Sequence, residues 1–185
     1  MHSERIILGI DPGTQVMGYG LIAVKGKQIE LITLDVFKFN SKEDHALRLK
    51  KIFESVLGLI DLYHPDELAI EAPFFGKNVQ SMLKLGRAQG VAMAAALYRD
   101  IPIFEYSPRK IKQSITGKGA ASKEQVAAML KNLINMPIAS IPLDATDAIA
   151  AAICHYLQND NSSSEKKFSG WKNFIDQNPK RVNAP

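Results

Sequence analysis

The chain has 185 residues, of which 46% are apolar and 23% are charged, a composition typical of one globular domain with a sizeable core. No apolar run reaches the roughly 18 residues that a membrane span needs, and no signal peptide is visible at the N-terminus, so we expect no membrane association. Cys154 is the only cysteine, which excludes an internal disulfide framework and a multi-cysteine zinc site and fits a cytoplasmic location.

The net charge of +4 is unevenly distributed along the chain. The segment from Ala72 to Lys131 holds ten basic and three acidic residues, so it carries +7 while the rest of the chain carries −3. Such an asymmetry predicts a partner with a phosphate backbone. The alternative is a set of solvated helix faces without a partner.

The first part of the chain predicts an antiparallel meander of three strands joined by short turns. These strands are expected at Ile6–Ile10, Gly18–Lys25 and Gln28–Phe39. The first is apolar on both faces, which is typical of a central strand, and Pro12 and Gly13 end it. Asp11 therefore lies at the carboxyl end of a core strand, where open sheets with helical crossovers tend to bind ligands. Ordinary turn chemistry before Pro-Gly is the alternative interpretation of Asp11.

The rest of the chain alternates between helices and strands. Ser41 is expected to cap the first helix, with Glu43 and Asp44 in its first turn. The elements after it are expected to be a strand at Glu67–Ile70, a helix at Val79–Tyr98, a strand at Ile101–Tyr106, a short helix from Ser107, a helix opened by a capping box of Ser122 and Gln125, and a helix from Leu143 or Asp144 to Leu157. This order predicts an α/β fold with a mixed five-stranded sheet and helices on both faces.

A change in composition after Leu157 divides the chain into a domain at 1–158 and a flexible tail at 159–185. Apolar residues recur at helical spacing within the tail, at Phe168, Trp171, Phe174 and Ile175. They predict either a short amphipathic segment that docks on the body or a partner, or a mobile tail without a docking site.

Four acidic residues stand out by position: Asp11, Glu71, Asp144 and Asp147. Asp11 and Glu71 each end a predicted strand, and they share one sheet edge if those strands are parallel neighbours. Asp144 and Asp147 are three apart at the start of the last helix and therefore lie on one face of it. A cluster of these carboxylates would repel internally, and divalent cations are the simplest offset. Hard oxygen ligands favour Mg²⁺, with Mn²⁺ as a substitute, and two such ions suit in-line phosphoryl displacement.

Each acid also has a plain structural interpretation. Asp144 is an acceptable N-cap, Asp147 is favoured by the helix dipole, and Glu71 is acceptable as a surface acid after an edge strand. The conjunction of all four with a separate basic segment argues against these interpretations. The histidines form no zinc-ligand set and are expected to be surface or core residues; they are His2, His45, His64 and His155.

Several separated motifs resemble the RuvC family, the bacterial Holliday-junction resolvases with a ribonuclease-H-like fold. The motifs that carry the resemblance are Ile7-Leu8-Gly9-Ile10-Asp11-Pro12-Gly13-Thr14, Gly18-Tyr19-Gly20, Ile70-Glu71, Lys77-Asn78, Gly86-Arg87-Ala88-Gln89-Gly90 and Asp144-Ala145-Thr146-Asp147-Ala148. The resemblance spans about Arg5 to Leu157. It implies a homodimer with two Mg²⁺ ions per active site that makes paired symmetric nicks across a four-way DNA junction, in recombination and repair. It also implies partnership with the RuvA–RuvB branch-migration complex.

The resemblance assigns roles residue by residue. The family's acidic tetrad falls on Asp11, Glu71, Asp144 and Asp147, as catalytic residues and metal ligands. Its junction-contacting aromatic matches Phe74, and its DNA-binding lysines match Lys112 and Lys123. Further DNA contacts are expected within the basic segment and the matched motifs, from Lys77, Asn78, Arg87 and Lys118. An exposed Phe74 would stack on bases that an open junction leaves unstacked, whereas a core position is the alternative for it or for Phe75.

Two rival functions are weighed against this hypothesis. An ATPase of the actin and Hsp70 superfamily shares the Asp-x-Gly-Thr pattern, but its fold needs a second copy of the core, which this chain lacks. A nucleotide P-loop is also absent, because Gly117-Lys118 is followed by Gly119 and the upstream position is Lys112. The second rival, an inactive junction-binding scaffold, is opposed by the acids at all four tetrad positions.

Overall fold

The structure of the chain, a computed structural model, describes residues 4–73, 78–134 and 141–162. The elements in these ranges are β1 (Arg5–Asp11), β2 (Val16–Lys25), β3 (Gln28–Lys38), α1 (His45–Tyr63), β4 (Glu67–Glu71), α2 (Val79–Leu97), β5 (Ile103–Tyr106), α3 (Pro108–Thr116), α4 (Lys123–Ile134) and α5 (Leu143–Ser162). Their order is the one predicted from the sequence. The sequence-based expectations for Phe74, Lys77 and the tail from residue 163 onwards lie outside the described residues.

The strands form one five-stranded sheet in the order β3-β2-β1-β4-β5. β1 pairs with β2, and β2 with β3, in antiparallel fashion, which confirms the predicted meander. β4 and β5 extend the sheet in parallel on the other side of β1. The predicted mixed sheet is therefore confirmed, and the parallel half places the carboxyl ends of β1 and β4 side by side.

Helices cover both faces of this sheet because successive residues of a central strand point to opposite sides. Leu8 and Ile10 of β1 pack on the side of α1 and α2, whereas Ile7 packs on the side of α3, α4 and α5. All three side chains are fully buried. The uninterrupted apolar run of β1 thus serves two cores at once, as expected for a central strand.

The start of α1 differs from the prediction. Asp44, not Ser41, is the N-cap, and its Oδ1 accepts a hydrogen bond of 2.8 Å from Ala46 N. Asn40 accounts for the difference, since its backbone oxygen accepts from Glu43 N and its side chain accepts from Lys42 N. That turn delays the helix, so Glu43 and Asp44 precede the first turn instead of lying within it.

Two other helix starts follow the prediction. Ser107 caps α3 by accepting from Lys110 N, with Pro108 in the first helical turn. Ser122 and Gln125 form the reciprocal capping box before α4, with donor–acceptor distances of 2.9 and 3.3 Å. These caps satisfy backbone N–H groups that have no partner within the helix.

The last helix is longer than predicted, because α5 continues to Ser162 and not only to Leu157. The polar composition that suggested a linker there is equally compatible with a helix. None of the helices within the described ranges is long and apolar enough to cross a membrane.

Candidate metal centre

The centre is built on the neighbouring ends of β1 and β4. Ile10 is in register with Ile70, so Asp11 and Glu71 both follow at the same edge of the sheet. Asp11 lies two residues after Gly9, which contacts α5 at Ala148 and Ala152. Glu71 lies two residues after Ala69, which belongs to the same core cluster as the buried residues of α5. Since side chains alternate along a strand, Asp11 and Glu71 also lie on the α5 face.

Glycines in β1 and β2 let α5 approach the sheet closely. A Cβ added to Gly9 would lie 2.1 Å from the backbone oxygen of Ala148, and one added to Gly18 would lie 1.9 Å from that of Asp144. The helix backbone therefore lies directly on the strands. Because Gly18 is the register partner of Asp11, this contact brings the first turn of α5 to the end of β1.

Three carboxylates meet as a result, and we call Asp11, Asp144 and Asp147 the aspartate cluster. Each contributes an oxygen atom, and these oxygens all lie within 4.8 Å of one another. The three side chains are half-buried. Glu71 lies outside this distance-defined group, but its charge acts on Asp11 and it is affected by Asp147. The geometry thus places a fourth carboxylate beside the cluster.

The electrostatics of these acids are unusual. Burial, followed by the charges of Glu71 and Asp147, raises the pKa of Asp11 to about 8. Burial and the charge of Asp147 raise the pKa of Glu71 to about 7. Both shifts mean that the folded protein disfavours this concentration of negative charge.

Two lysines of the basic segment act on the same acids. Lys123 Nζ, at the first residue of α4, contacts Asp147 Oδ2. Burial of this ammonium opposes its charge, but the hydrogen bond to Asp147 and the surrounding aspartates outweigh that effect and raise the pKa of Lys123. The charge of Lys112 on α3 favours ionised Glu71. The positive segment therefore reaches the acidic site itself.

The donor set fits a hard divalent cation. Asp11, Asp144 and Asp147 supply only carboxylate oxygens, which suit Mg²⁺, Ca²⁺ or Mn²⁺ better than softer metals. A cation would also relieve the repulsion that raises the pKa of Asp11. The aspartate cluster is thus an acidic site able to bind a metal ion.

This charge arrangement predicts a pH-dependent stability without metal. A folded-state pKa above the unfolded one means that the folded protein binds more protons over that interval, so stability falls as pH rises through it. For Glu71 the interval runs from 4.5 to about 7. In EDTA, we expect Glu71→Gln to gain stability over the wild type progressively across that interval and to keep the gain above it. Urea unfolding at pH 5 to 8.5 measures this, and a gain that does not vary with pH would contradict it.

The other residues predicted to contact DNA lie on or next to α2 and α3. Arg87 on α2 and Lys118 after α3 are exposed, and Lys112 is half-buried. Asn78 uses its side-chain oxygen to cap α2 by accepting from Ser81 N at 3.1 Å. Asn78 therefore has a structural role in addition to any contact with DNA. Phe74 and Lys77 lie outside the described residues.

Sequence reasoning missed a support under Glu71. Gln89 is buried on α2, and its Nε2 donates to Glu105 Oε2 at 2.8 Å and reaches the backbone oxygen of Glu71 at 3.5 Å. This contact joins α2 to the end of β4 from the face opposite α5. The signal in the sequence was the motif Gly86-Arg87-Ala88-Gln89-Gly90, in which no role was assigned to the glutamine.

A mixed sheet in this strand order, with carboxylates at the adjoining ends of β1 and β4 and on a helix crossing them, defines the class of ribonuclease-H-like nucleases. A family model described as "Crossover junction endodeoxyribonuclease RuvC" matches residues 7–155. The chain belongs to this RuvC family, which confirms the resemblance noted in the sequence.

Individual relatives agree with this assignment. A crossover junction endodeoxyribonuclease RuvC from Cytophaga hutchinsonii is 60% identical over 179 residues, covering 97% of this chain and 88% of the relative. A protein of the same name from Bacteroides fragilis is 60% identical over 181 residues, covering 97% and 96%. The structure of T. thermophilus RuvC in complex with a Holliday junction substrate has a TM-score of 0.80 at 31% identity, covering 85% of this chain and 96% of that one.

Proposed function

We propose that this protein is a Mg²⁺-dependent endonuclease that resolves four-way DNA junctions by paired symmetric nicks, in homologous recombination and repair. The observation that carries the proposal is the convergence of Asp11, Asp144 and Asp147 within 4.8 Å, at residues where the family's acidic tetrad falls. Family membership and the junction-bound T. thermophilus relative support the substrate.

The metal would be held by the aspartate cluster together with Glu71. Two Mg²⁺ ions, or Mn²⁺ in their place, would activate water for attack on the scissile phosphate and stabilise the leaving oxygen. The chain's own contribution is to hold these four carboxylates at one sheet edge in a partly desolvated setting. The raised pKa values of Asp11 and Glu71 indicate that negative charge at this site is unfavourable until a cation neutralises it.

The basic segment would bind the sugar–phosphate backbone. Lys123 and Lys112 lie close enough to the acids to change their pKa, so they would contact phosphates next to the cleaved bond. Arg87 and Lys118, with Lys77 and Asn78, would extend the contact along the arms of the junction. Phe74, three residues after the end of β4 in the sequence, would stack on the unpaired bases at the crossover.

Two-fold symmetry of the substrate favours a homodimer, because each subunit would then nick one of two strands of like polarity. One face of α2 supports this, since Val79 and Leu83 are exposed apolar residues. Gly86 and Gly90 continue that face, and a Cβ at either would meet nothing within 4 Å. By family resemblance the dimer would act with the RuvA–RuvB branch-migration complex in the cytoplasm.

The decisive experiment compares a synthetic four-way junction with a linear duplex of the same sequence. We expect the purified protein to nick the junction in Mg²⁺ or Mn²⁺, to leave the duplex intact, and to cut neither in EDTA. Denaturing gels of end-labelled strands locate the nicks, and ligation of the products tests their symmetry.

The rival functions give different results in this assay. Junction binding without cutting in either metal would identify a scaffold without nuclease activity. Equal cutting of junction and duplex would overturn structure selectivity, and ATP hydrolysis without nicking would identify an ATPase.

A further inference from the structure

A buried group of polar side chains joins β4, β5 and α5 away from the aspartate cluster, and we call Tyr106, His155 and Glu67 the α5 anchor. His155 is fully buried on α5, and its Nδ1 lies 2.6 Å from Tyr106 Oη at the end of β5. Its Nε2 lies 2.9 Å from Glu67 Oε2 at the start of β4 and 3.1 Å from Asn159 Nδ2. Arg5 pairs with Glu67 from the solvent side. Both ring nitrogens of His155 therefore have a polar partner within hydrogen-bond distance.

The direction of these hydrogen bonds follows from protonation. Burial lowers the pKa of His155, so its ring is neutral, and burial raises the pKa of Tyr106 to about 12, so its phenol keeps the proton. A neutral imidazole has one donor and one acceptor, and a carboxylate only accepts. Nε2–H of His155 therefore donates to Glu67 and the Tyr106 hydroxyl donates to Nδ1, which leaves Nε2 no lone pair to accept from Asn159 Nδ2.

The rest of the contact between α5 and the sheet combines small and large apolar side chains. Ala148 and Ala152 meet the strands at Gly9, and Ile149 meets them at Gly20. The small side chains allow close approach, and the packing of the larger ones limits movement of α5 without the directionality of a hydrogen bond. Buried hydrogen bonds are directional and select one position. The α5 anchor adds that directional selection to the packing of Ile149 at Gly20.

Its position in the sheet connects the α5 anchor to the acids. Tyr106 is the register partner of Glu71, and its backbone oxygen accepts from Ala72 N at 2.9 Å. His155 follows Asp147 on the same helix at a distance of roughly 12 Å along the axis. Because a helix shifts as a unit, movement at His155 moves Asp147 by the same amount.

We propose that the α5 anchor positions Asp144 and Asp147 against Asp11 and Glu71 by fixing where α5 lies along the sheet. The inference deepens the proposed function and rests on it. None of the three residues belongs to the aspartate cluster, so each is a positioning residue whose loss changes metal binding through the placement of α5.

The test is Tyr106→Phe, which removes one oxygen and keeps the ring. We expect the Mg²⁺ concentration for half-maximal thermal shift to rise about 10-fold, with the dissociation constant for a four-way junction in EDTA unchanged within about twofold. Cleavage is expected to recover at high Mg²⁺. The matched control is Tyr63→Phe, the same change at a half-buried tyrosine on the α1 side of the sheet, which leaves the Mg²⁺ response unaltered.

A second pair of variants separates positioning from folding. Glu67→Gln keeps an oxygen acceptor for His155 Nε2–H and is expected to stay within about twofold of the wild type in Mg²⁺ response. Glu67→Leu removes the acceptor and is expected to repeat the rise of about 10-fold. Circular dichroism before each titration shows that the variants are folded.

Two outcomes would overturn the proposal, and they are distinguishable. A Tyr106→Phe protein that melts earlier but keeps the wild-type Mg²⁺ response would assign the α5 anchor to fold stability alone. A wild-type protein that shows no Mg²⁺ response and no junction cleavage would overturn the proposed function, and the positioning role with it.

Discussion

Replacing Asp11 with Asn is expected to reduce junction cleavage by about 1,000-fold or more while junction binding stays within about threefold of the wild type. The change is isosteric but removes a charged oxygen from the aspartate cluster, whose carboxylate oxygens lie within 4.8 Å of one another. Metal binding needs that charge, whereas the DNA contacts proposed above come from lysines and arginines of the basic segment. Single-turnover cleavage and fluorescence anisotropy of the same labelled junction measure the two effects.

The thermal stability of Asp11→Asn shows whether cleavage is lost because a metal ligand is missing or because the protein is destabilised. Burial and neighbouring acids raise the pKa of Asp11 from 3.8 to about 8, so ionised Asp11 destabilises the metal-free fold at alkaline pH. Asp11→Asn is therefore expected to melt at a higher temperature than the wild type at pH 8 in EDTA. Asp35→Asn, at an exposed position on β3, is the matched control and is expected to change neither cleavage nor melting. Cleavage by Asp11→Asn at the wild-type rate would remove Asp11 from the mechanism.

The position of Asp11 beside Glu71 was predictable because it depends on local signals. Pro12 and Gly13 mark the end of β1, and the apolar run before them identifies a central strand. The end of β4 is marked in the same way by its short apolar run before Glu71. One further assumption, that the two strands are parallel neighbours, was sufficient to bring the acids to one edge, and the observed register agrees with it.

Other parts of the site depend on contacts that no local pattern encodes. The hydrogen bond between His155 and Glu67 joins residues 88 positions apart, and that between Tyr106 and His155 spans 49 positions. Sequence alone identified His155 only as a surface or core residue. The α1 start was mispredicted for a related reason, since Ser41 and Asp44 are both good caps and the turn at Asn40 decides between them.

The close approach of α5 is the feature on which the aspartate cluster depends most directly, and Gly18→Ala tests it. A Cβ at residue 18 would lie 1.9 Å from the backbone oxygen of Asp144 and 2.4 Å from its carbonyl carbon, so the backbone itself has to move. We expect a loss of about 3 kcal/mol in the free energy of unfolding from overpacking. Because Gly18 pairs with Asp11, the displacement falls within the site, and cleavage at fixed Mg²⁺ is expected to fall by about 100-fold.

Gly58→Ala makes the same chemical change but is expected to have the opposite effect on the free energy of unfolding. Gly58 lies within α1, where an added Cβ would meet nothing within 4 Å, so alanine is expected to stabilise the helix by about 1 kcal/mol and leave cleavage unchanged. Urea unfolding and single-turnover cleavage of both variants separate the two cases. If Gly18→Ala cut junctions as fast as Gly58→Ala, Asp144 would not need its observed distance from Asp11. The metal site would then have to be assigned to other ligands, since the position of Asp144 on α5 is what the glycine at residue 18 permits.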